Sequence, residues 1–93
     1  MNKILIVEDE KSINRLIKIN LSDAGYSCLC AFDGKEAIEL IDHNHFDLIL
    51  LDIMLPEING YELMEYIRPL EIPVIFLTAK SDVKDRVKGL KLG

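Results

Sequence analysis

The sequence lacks tryptophan and has only two cysteines and three prolines among its 93 residues. Its longest apolar runs are far shorter than the roughly 20 residues that cross a bilayer, so we expect no membrane span. The opening MNKILIVEDE has no long apolar stretch followed by small residues, and we therefore expect no secretory signal. Cys28 and Cys30 lie too close along one predicted strand to favour a bridge. Reduced thiols of this kind are typical of a cytoplasmic protein.

Positive charge is also scarce. Eleven lysines and arginines stand against sixteen acidic residues, which gives a formal net charge of −5. This balance argues against direct nucleic-acid binding, because the phosphate backbone selects basic surfaces. The sequence is 49% hydrophobic and 29% charged, with no basic cluster and no internal repeat. Length and composition predict one globular domain over residues 1–93.

Four apolar segments predict the strands of a sheet. Continuous runs of Ile, Leu and Val are typical of parallel strands that are covered on both faces, and they occupy residues 3–7, 48–51 and 73–77. Residues 26–32 are more mixed, which suits an edge strand. The sheet should therefore be parallel, with the second segment along the chain at its edge.

Helical patterns separate these strands. The first, over residues 10–24, has one apolar face made of Ile13, Leu16, Ile17, Leu21 and Ala24. Asp9 is a candidate cap for its start, and Gly25 is a candidate glycine for its end. The second helix should begin at Asp33, because Glu36 follows it at the spacing of a capping box.

Two further helices complete the pattern. One is predicted over about residues 60–68, limited by Pro69, and the other from residue 81 or 82 onward. Strand and helix thus alternate four times, which predicts an α/β fold with a doubly wound parallel sheet and right-handed crossovers. A crossover helix normally returns the chain to another strand, so we expect the natural protein to continue beyond Gly93.

Polar groups follow the predicted strands where those strands end. Glu8 and Asp9 follow the first, Asp52 ends the third, and Thr78 and Ala79 follow the fourth. Ligands of such sheets bind at the carboxyl ends of the strands, so these groups should gather at one edge. Three carboxylates repel one another unless a cation intervenes, and oxygen ligands favour Mg²⁺. A cation would make Asp52 a candidate nucleophile toward phosphorus.

Each polar residue taken singly has a simpler explanation. Asp9 can be a helix cap, Asp52 can hold a turn with Asn59 and Gly60, and Thr78 can be a satisfied core hydroxyl. A non-catalytic α/β interaction module with the acids as helix caps therefore stays open. A Mg²⁺ titration separates the two hypotheses, because scattered caps would form no specific cation site.

Three motifs occur in a fixed order along the chain: ILIVEDE on the first strand, LILLDIMLPEINGYEL around the third, and PVIFLTAK on the fourth. Together they resemble the receiver domain of bacterial two-component response regulators, most closely that of transcriptional regulators with a C-terminal winged-helix domain. The resemblance implies a flavodoxin-like sheet of strand order 2-1-3-4, here without the family's fifth strand and fifth helix. It also implies a cytoplasmic signalling phosphoacceptor and not an enzyme.

The resemblance implies roles for individual residues. Asp52 would accept a phosphoryl group from a sensor histidine kinase, Thr78 would be the switch hydroxyl, and the amide of Ala79 would contact the phosphoryl group. The Mg²⁺ ligands would be Asp9, Glu8, Asp52 and the backbone carbonyl of Met54. Output would be regulation of transcription, through a DNA-binding domain outside these residues. The family's lysine after the fifth strand is absent, and self-association as a homodimer or by strand exchange is a further expectation.

Other classes fit less well. A haloacid-dehalogenase-like phosphatase needs a second acid at the position of Met54, which cannot transfer protons. A flavodoxin-like cofactor binder needs a glycine- and hydroxyl-rich phosphate loop, where this chain has EDEK. His43 and His45 lie in a polar stretch, which favours solvated surface over metal ligation.

Overall fold

The computed structural model describes residues 2–52 and 60–77. Its elements in chain order are β1 (Lys3–Val7), α1 (Lys11–Asp23), β2 (Ser27–Ala31), α2 (Gly34–His43), β3 (Leu48–Asp52), α3 (Gly60–Ile67), a 3-10 turn (Arg68–Leu70) and β4 (Val74–Leu77). The strands pair in parallel in the order β2-β1-β3-β4. The predicted α/β class and strand order are therefore confirmed. The helix predicted from residue 81 or 82 lies outside the described residues.

The strand register aligns the carboxyl ends of β1, β2 and β3. Val7 at the end of β1 pairs with Ala31 on one side and with Leu51 on the other. Asp52, one residue further along β3, pairs with Leu77 of β4. The residues that follow Val7 therefore emerge beside Asp52, as the parallel arrangement predicted.

Two apolar layers cover the two faces of the sheet. On one face, α2 and α3 pack on β1 and β3 through buried residues that include Leu5, Val7, Ile41, Ile49, Leu51, Leu63 and Ile67. On the other face, α1 packs through Ile13 and Ile17 against a cluster that includes Ile4, Ile6, Leu50 and Leu77. Side chains of a strand alternate between its faces, so continuous apolar runs are needed when both faces are covered. Full burial of each such side chain contributes about 1.5–3 kcal/mol.

The ends of α1 confirm one prediction and contradict another. Gly25 has φ 101°, and its N–H donates to the carbonyl of Ser22 at 3.0 Å, while the N–H of Tyr26 donates to that of Leu21 at 3.1 Å. This is the glycine-terminated helix end that the sequence predicted. The N-cap, however, is Glu10, with no side-chain capping bond. Asp9 is therefore not the cap of α1, and that prediction is wrong.

The buried face of α1 differs from its apolar pattern. Ile13 and Ile17 are buried as predicted, but Leu16 is 44% exposed. The fully buried side chain of Asn14 lies at the sheet instead. The helix is thus rotated so that Asn14 makes a polar contact at the sheet edge.

The start of α2 agrees with the predicted capping signal. Asp33 is its N-cap, and its Oδ1 accepts the N–H of Glu36 at 2.7 Å. In return, Oε1 of Glu36 accepts the N–H of Phe32 at 2.7 Å. The first bond satisfies one of the donors that a helix start leaves open, and the second fixes the turn between β2 and α2.

The structure also describes the end of α3 and the state of the two cysteines. α3 ends at Ile67, and the chain passes through Pro69 in a 3-10 turn before β4 begins. Cys28 and Cys30 are free thiols, and burial raises the pKa of both, so they stay protonated at neutral pH. Within residues 2–52 and 60–77, no helix has the length and apolar character needed to cross a membrane.

Candidate metal centre

Three carboxylates meet at the carboxyl edge of the sheet. Glu8, Asp9 and Asp52 each offer an oxygen atom, and these oxygens lie within 4.8 Å of one another. Glu8 and Asp52 have no exposed surface, whereas Asp9 is exposed. The structure therefore brings together the three acids that were predicted to converge from separate strands.

The backbone of β1 and β3 creates this arrangement. Glu8 and Asp9 follow β1 directly, and Asp52 is the last residue of the neighbouring β3. Glu8 is held by β2 and by its own loop, because its N–H donates to the Ala31 carbonyl at 3.1 Å and its Oε2 accepts the N–H of Glu10 at 2.9 Å. The carboxylates are thus positioned by the ends of strands, which is more rigid than a long loop would be.

Asn14 of α1 supports the same edge of the sheet, and the sequence did not predict this role. Its Nδ2 donates to the carbonyl of Glu8 at 3.0 Å and to that of Ala31 at 3.1 Å. The amide therefore fastens α1 to the ends of β1 and β2 beside the acids. The signal available in the sequence was a lone asparagine between the apolar positions 13 and 17 of a helix.

The electrostatics of the cluster favour a cation. Two unit negative charges at 4.8 Å repel by about 3 kcal/mol at an effective dielectric constant of about 20. All three donors are carboxylate oxygens, the ligands that hard cations select. Two buried acids and one exposed acid leave an open side, and Mg²⁺ usually keeps several waters and takes only a few protein ligands. The donor set therefore fits Mg²⁺.

Several predicted site residues cannot be compared with the structure. Met54, Thr78 and Ala79 lie outside the described residues, so their roles stay predictions. Asn59, part of the alternative turn around Asp52, lies outside them too. For Asp9 the alternative of a helix cap is wrong, since Glu10 occupies the cap position.

The histidines lie apart from the acids. Nδ1 of His43 is 2.8 Å from the carbonyl of Glu39. His43 and His45 line a shallow cavity of about 360 Å³ together with Leu70 and Ile72. In the part of the chain that the structure describes, the side chains grouped closely enough to hold a metal do not include either histidine.

Fold and site together define a class of protein: a doubly wound α/β domain with an acidic cluster at the point where the strand order reverses. Residues 4–93 match the family model of the response regulator receiver domain. The chain belongs to this family. It is therefore a signalling domain of two-component systems and not a classical enzyme, and a phosphoacceptor role is typical of such domains.

Relatives and solved structures agree with this assignment. The transcriptional regulatory protein DltR of Streptococcus agalactiae is 50% identical over 98% of this chain and 42% of its own length. The receiver domain of the Francisella response regulator 1452 has a TM-score of 0.81 at 37% identity, covering 100% of this chain and 78% of that one. TrrA of Thermotoga maritima, solved in complex with Mg²⁺-BeF, has a TM-score of 0.80 at 38% identity, and the match covers 87% of this chain and 72% of TrrA. The chain thus spans less than half the length of DltR.

Proposed function

We propose that Asp52 is the phosphoacceptor of this receiver domain and that its donor is a histidine of a sensor kinase. The most direct support is the position of the buried Asp52 carboxylate within 4.8 Å of the carboxylates of Glu8 and Asp9. A nucleophile for phosphorus needs a cation beside it, since both reactants are anionic. Asp52 ends a central strand beside two carboxylates that would hold such a cation.

The proposed step is a phosphoryl transfer. A carboxylate oxygen of Asp52 forms a bond to phosphorus while the bond from phosphorus to the donor imidazole nitrogen breaks. The electron pair stays on that nitrogen, and because the other ring nitrogen already carries a proton, neutral imidazole leaves. The product on Asp52 is an acyl phosphate. Bound Mg²⁺ supplies positive charge at the phosphoryl oxygens.

The ligands of that cation would be Glu8, Asp9, Asp52 and the backbone carbonyl of Met54. The support is the all-oxygen donor set of the three acids, together with the complex of the relative TrrA with Mg²⁺-BeF. Thr78 would move toward the phosphoryl group and the amide of Ala79 would contact it. These movements would bias the domain between two states, and the domain would assist its own phosphorylation and dephosphorylation.

The output we propose is regulation of transcription by a longer cytoplasmic protein. The support is the similarity to DltR, which is named a transcriptional regulatory protein and extends well beyond the matched region. DNA would be bound by a separate domain, in line with the net charge of −5 on this chain. Self-association as a homodimer or by strand exchange stays a prediction.

Intact mass spectrometry tests the acceptor. The chain is incubated with acetyl phosphate with and without Mg²⁺, beside the variants Asp52→Asn and Asp23→Asn. We expect a single phosphoryl adduct on the wild type and on Asp23→Asn, which removes an exposed acid at the end of α1. The adduct should be absent without Mg²⁺ and absent in Asp52→Asn. An adduct that persists in Asp52→Asn would place the acceptor elsewhere.

Calorimetric titration with Mg²⁺ tests the metal site independently. Asp9→Asn should weaken binding by at least about tenfold, because it removes one of three carboxylates from the cluster. Asp23→Asn again serves as the charge-matched control. A wild-type chain that binds no Mg²⁺ would favour the alternative of a non-catalytic interaction module.

A further inference from the structure

Lys11 makes a contact that links two loops at the edge where the acids lie. It is the first residue of α1 and follows Asp9 by two positions. Its Nζ lies over the ring of Phe32, 5.8 Å from the ring centroid. Phe32 directly follows β2, so the contact joins the β1–α1 connection to the β2–α2 connection. An ammonium group is therefore placed at the carboxyl edge of the sheet, on the β2 side of the loop that carries Glu8 and Asp9.

The backbone that carries this ring is held by hydrogen bonds. The N–H of Phe32 donates to Oε1 of Glu36 at 2.7 Å, and the N–H of Glu36 donates to the Asp33 side chain at 2.7 Å. These bonds set the turn that carries the ring. The face of the Phe32 ring is thus presented to the cation from a fixed turn.

Helix formation does not explain a lysine at this position. The N-terminus of a helix carries partial positive charge and favours acidic residues in the first turn. The first turn of α1 contains no acid, and its N-cap makes no side-chain capping bond. Local rules of this kind are broken most often at functional sites.

We propose that Lys11 steers anionic phosphodonors to Asp52 and that Phe32 holds it in position for this task. The proposal rests on the function proposed above for Asp52. Three carboxylates repel an approaching phosphate, and an ammonium at the same edge of the sheet lowers that repulsion through its long-range field. The same charge repels Mg²⁺. Lys11 therefore speeds donor arrival and weakens metal binding, two effects of opposite sign.

This opposition of sign makes the proposal testable. Lys11→Gln and Lys11→Arg are compared with Lys18→Gln, which removes an exposed lysine from the same helix and so has the same net charge as Lys11→Gln. The rate of Asp52 phosphorylation by acetyl phosphate, a dianion, is measured at saturating Mg²⁺ in low and high salt. Mg²⁺ affinity is measured separately by calorimetry without donor.

Lys11→Gln should slow phosphorylation about three- to tenfold in low salt, and the difference from wild type should shrink in high salt. Its Mg²⁺ affinity should rise about twofold. Lys11→Arg should keep the phosphorylation rate and the Mg²⁺ affinity close to wild type. Phe32→Leu should reproduce part of the loss in phosphorylation rate. Lys18→Gln should stay close to wild type in both measurements.

The contrary outcomes are distinct. If Lys11→Gln and Lys18→Gln react at the same rate, the steering role is overturned. If Lys11→Gln lowers both the rate and the Mg²⁺ affinity, Lys11 has only a structural role in the loop. If the wild type itself gains no phosphoryl group on Asp52, the failure belongs to the function proposed for Asp52.

Discussion

Replacement of Asn14 by alanine should destabilise the fold, because Asn14 makes a polar contact inside an otherwise apolar layer. The side chain is fully buried, and its Nδ2 donates to the carbonyls of Glu8 and Ala31 at 3.0 and 3.1 Å. These two bonds join α1 to the ends of β1 and β2. Their loss leaves two strand ends without the donor that fastens them to the helix.

The magnitude follows from the partners. The Ala31 carbonyl keeps the N–H of Glu8 as a second donor at 3.1 Å, which limits the cost at that carbonyl. Two lost bonds cost about 2–4 kcal/mol. In the described structure Oδ1 of Asn14 is buried without a hydrogen-bond partner, and its removal returns about 1 kcal/mol. The net loss is about 1–3 kcal/mol, out of a total stability of about 5–15 kcal/mol.

Urea denaturation of the chain measures this loss, with Asn20→Ala as the control. Asn20 is an exposed residue of the same helix, so its replacement gives the same change in helix propensity without touching the sheet. We expect Asn20→Ala to be neutral or slightly stabilising. The free energy of unfolding of Asn14→Ala should fall by about 1–3 kcal/mol in urea, which corresponds to a fall in Tm of roughly 4–24 °C in a thermal melt. Equal stability of the two variants would refute the reasoning from the two carbonyl contacts.

Two further predictions concern the α2 region. Asp33→Ala should lower the free energy of unfolding by about 1 kcal/mol in urea denaturation, because it removes the cap on the N–H of Glu36. Asp33→Asn should keep most of the wild-type stability. Equal losses in the two variants would contradict a capping role. The hydroxyl of Tyr66 donates to Asp42, and this bond raises the pKa of Tyr66. The bond's stabilisation is therefore complete below the unfolded pKa near 10 and disappears as the pH rises through the folded pKa. Wild-type stability should drop relative to Tyr66→Phe above about pH 10, and parallel pH profiles would count against this linkage.

The fold could be predicted because its signals are local and repeated. Continuous apolar runs such as residues 3–7 and 48–51 have one good solution, a parallel sheet covered on both faces. The convergence of Glu8, Asp9 and Asp52 followed from the same inference, since parallel strands end at a common edge. The site was therefore a consequence of topology, and Asp52 could be grouped with the distant pair Glu8 and Asp9 without a structure.

The cap of α1 was harder to predict, because local preference points the wrong way. Asp9 is a good N-cap residue by type and position. In the structure its carboxylate belongs to the acidic cluster, and Glu10 occupies the cap without a side-chain bond. The helix start therefore gives up a stabilising bond, and an acid is placed at the site instead. A rule based on residue type alone cannot choose between two uses of one carboxylate.

Asn14 shows why the rotation of α1 could not be read from hydrophobicity. Successive helix positions differ by about 100°, so positions 13, 14, 17 and 21 share an arc of about 100°, and position 16 lies about 60° outside it. Periodicity scores an asparagine as outward and a leucine as inward, and so it rotates the helix toward Leu16. The structure chooses the opposite rotation: Asn14 is buried and Leu16 is 44% exposed. The deciding interaction is with the Glu8 and Ala31 carbonyls, which come together only when β1 and β2 pair. The contact of this buried donor therefore forms only when the sheet edge has assembled, and the sequence of α1 alone does not reveal it. The same edge carries the acids.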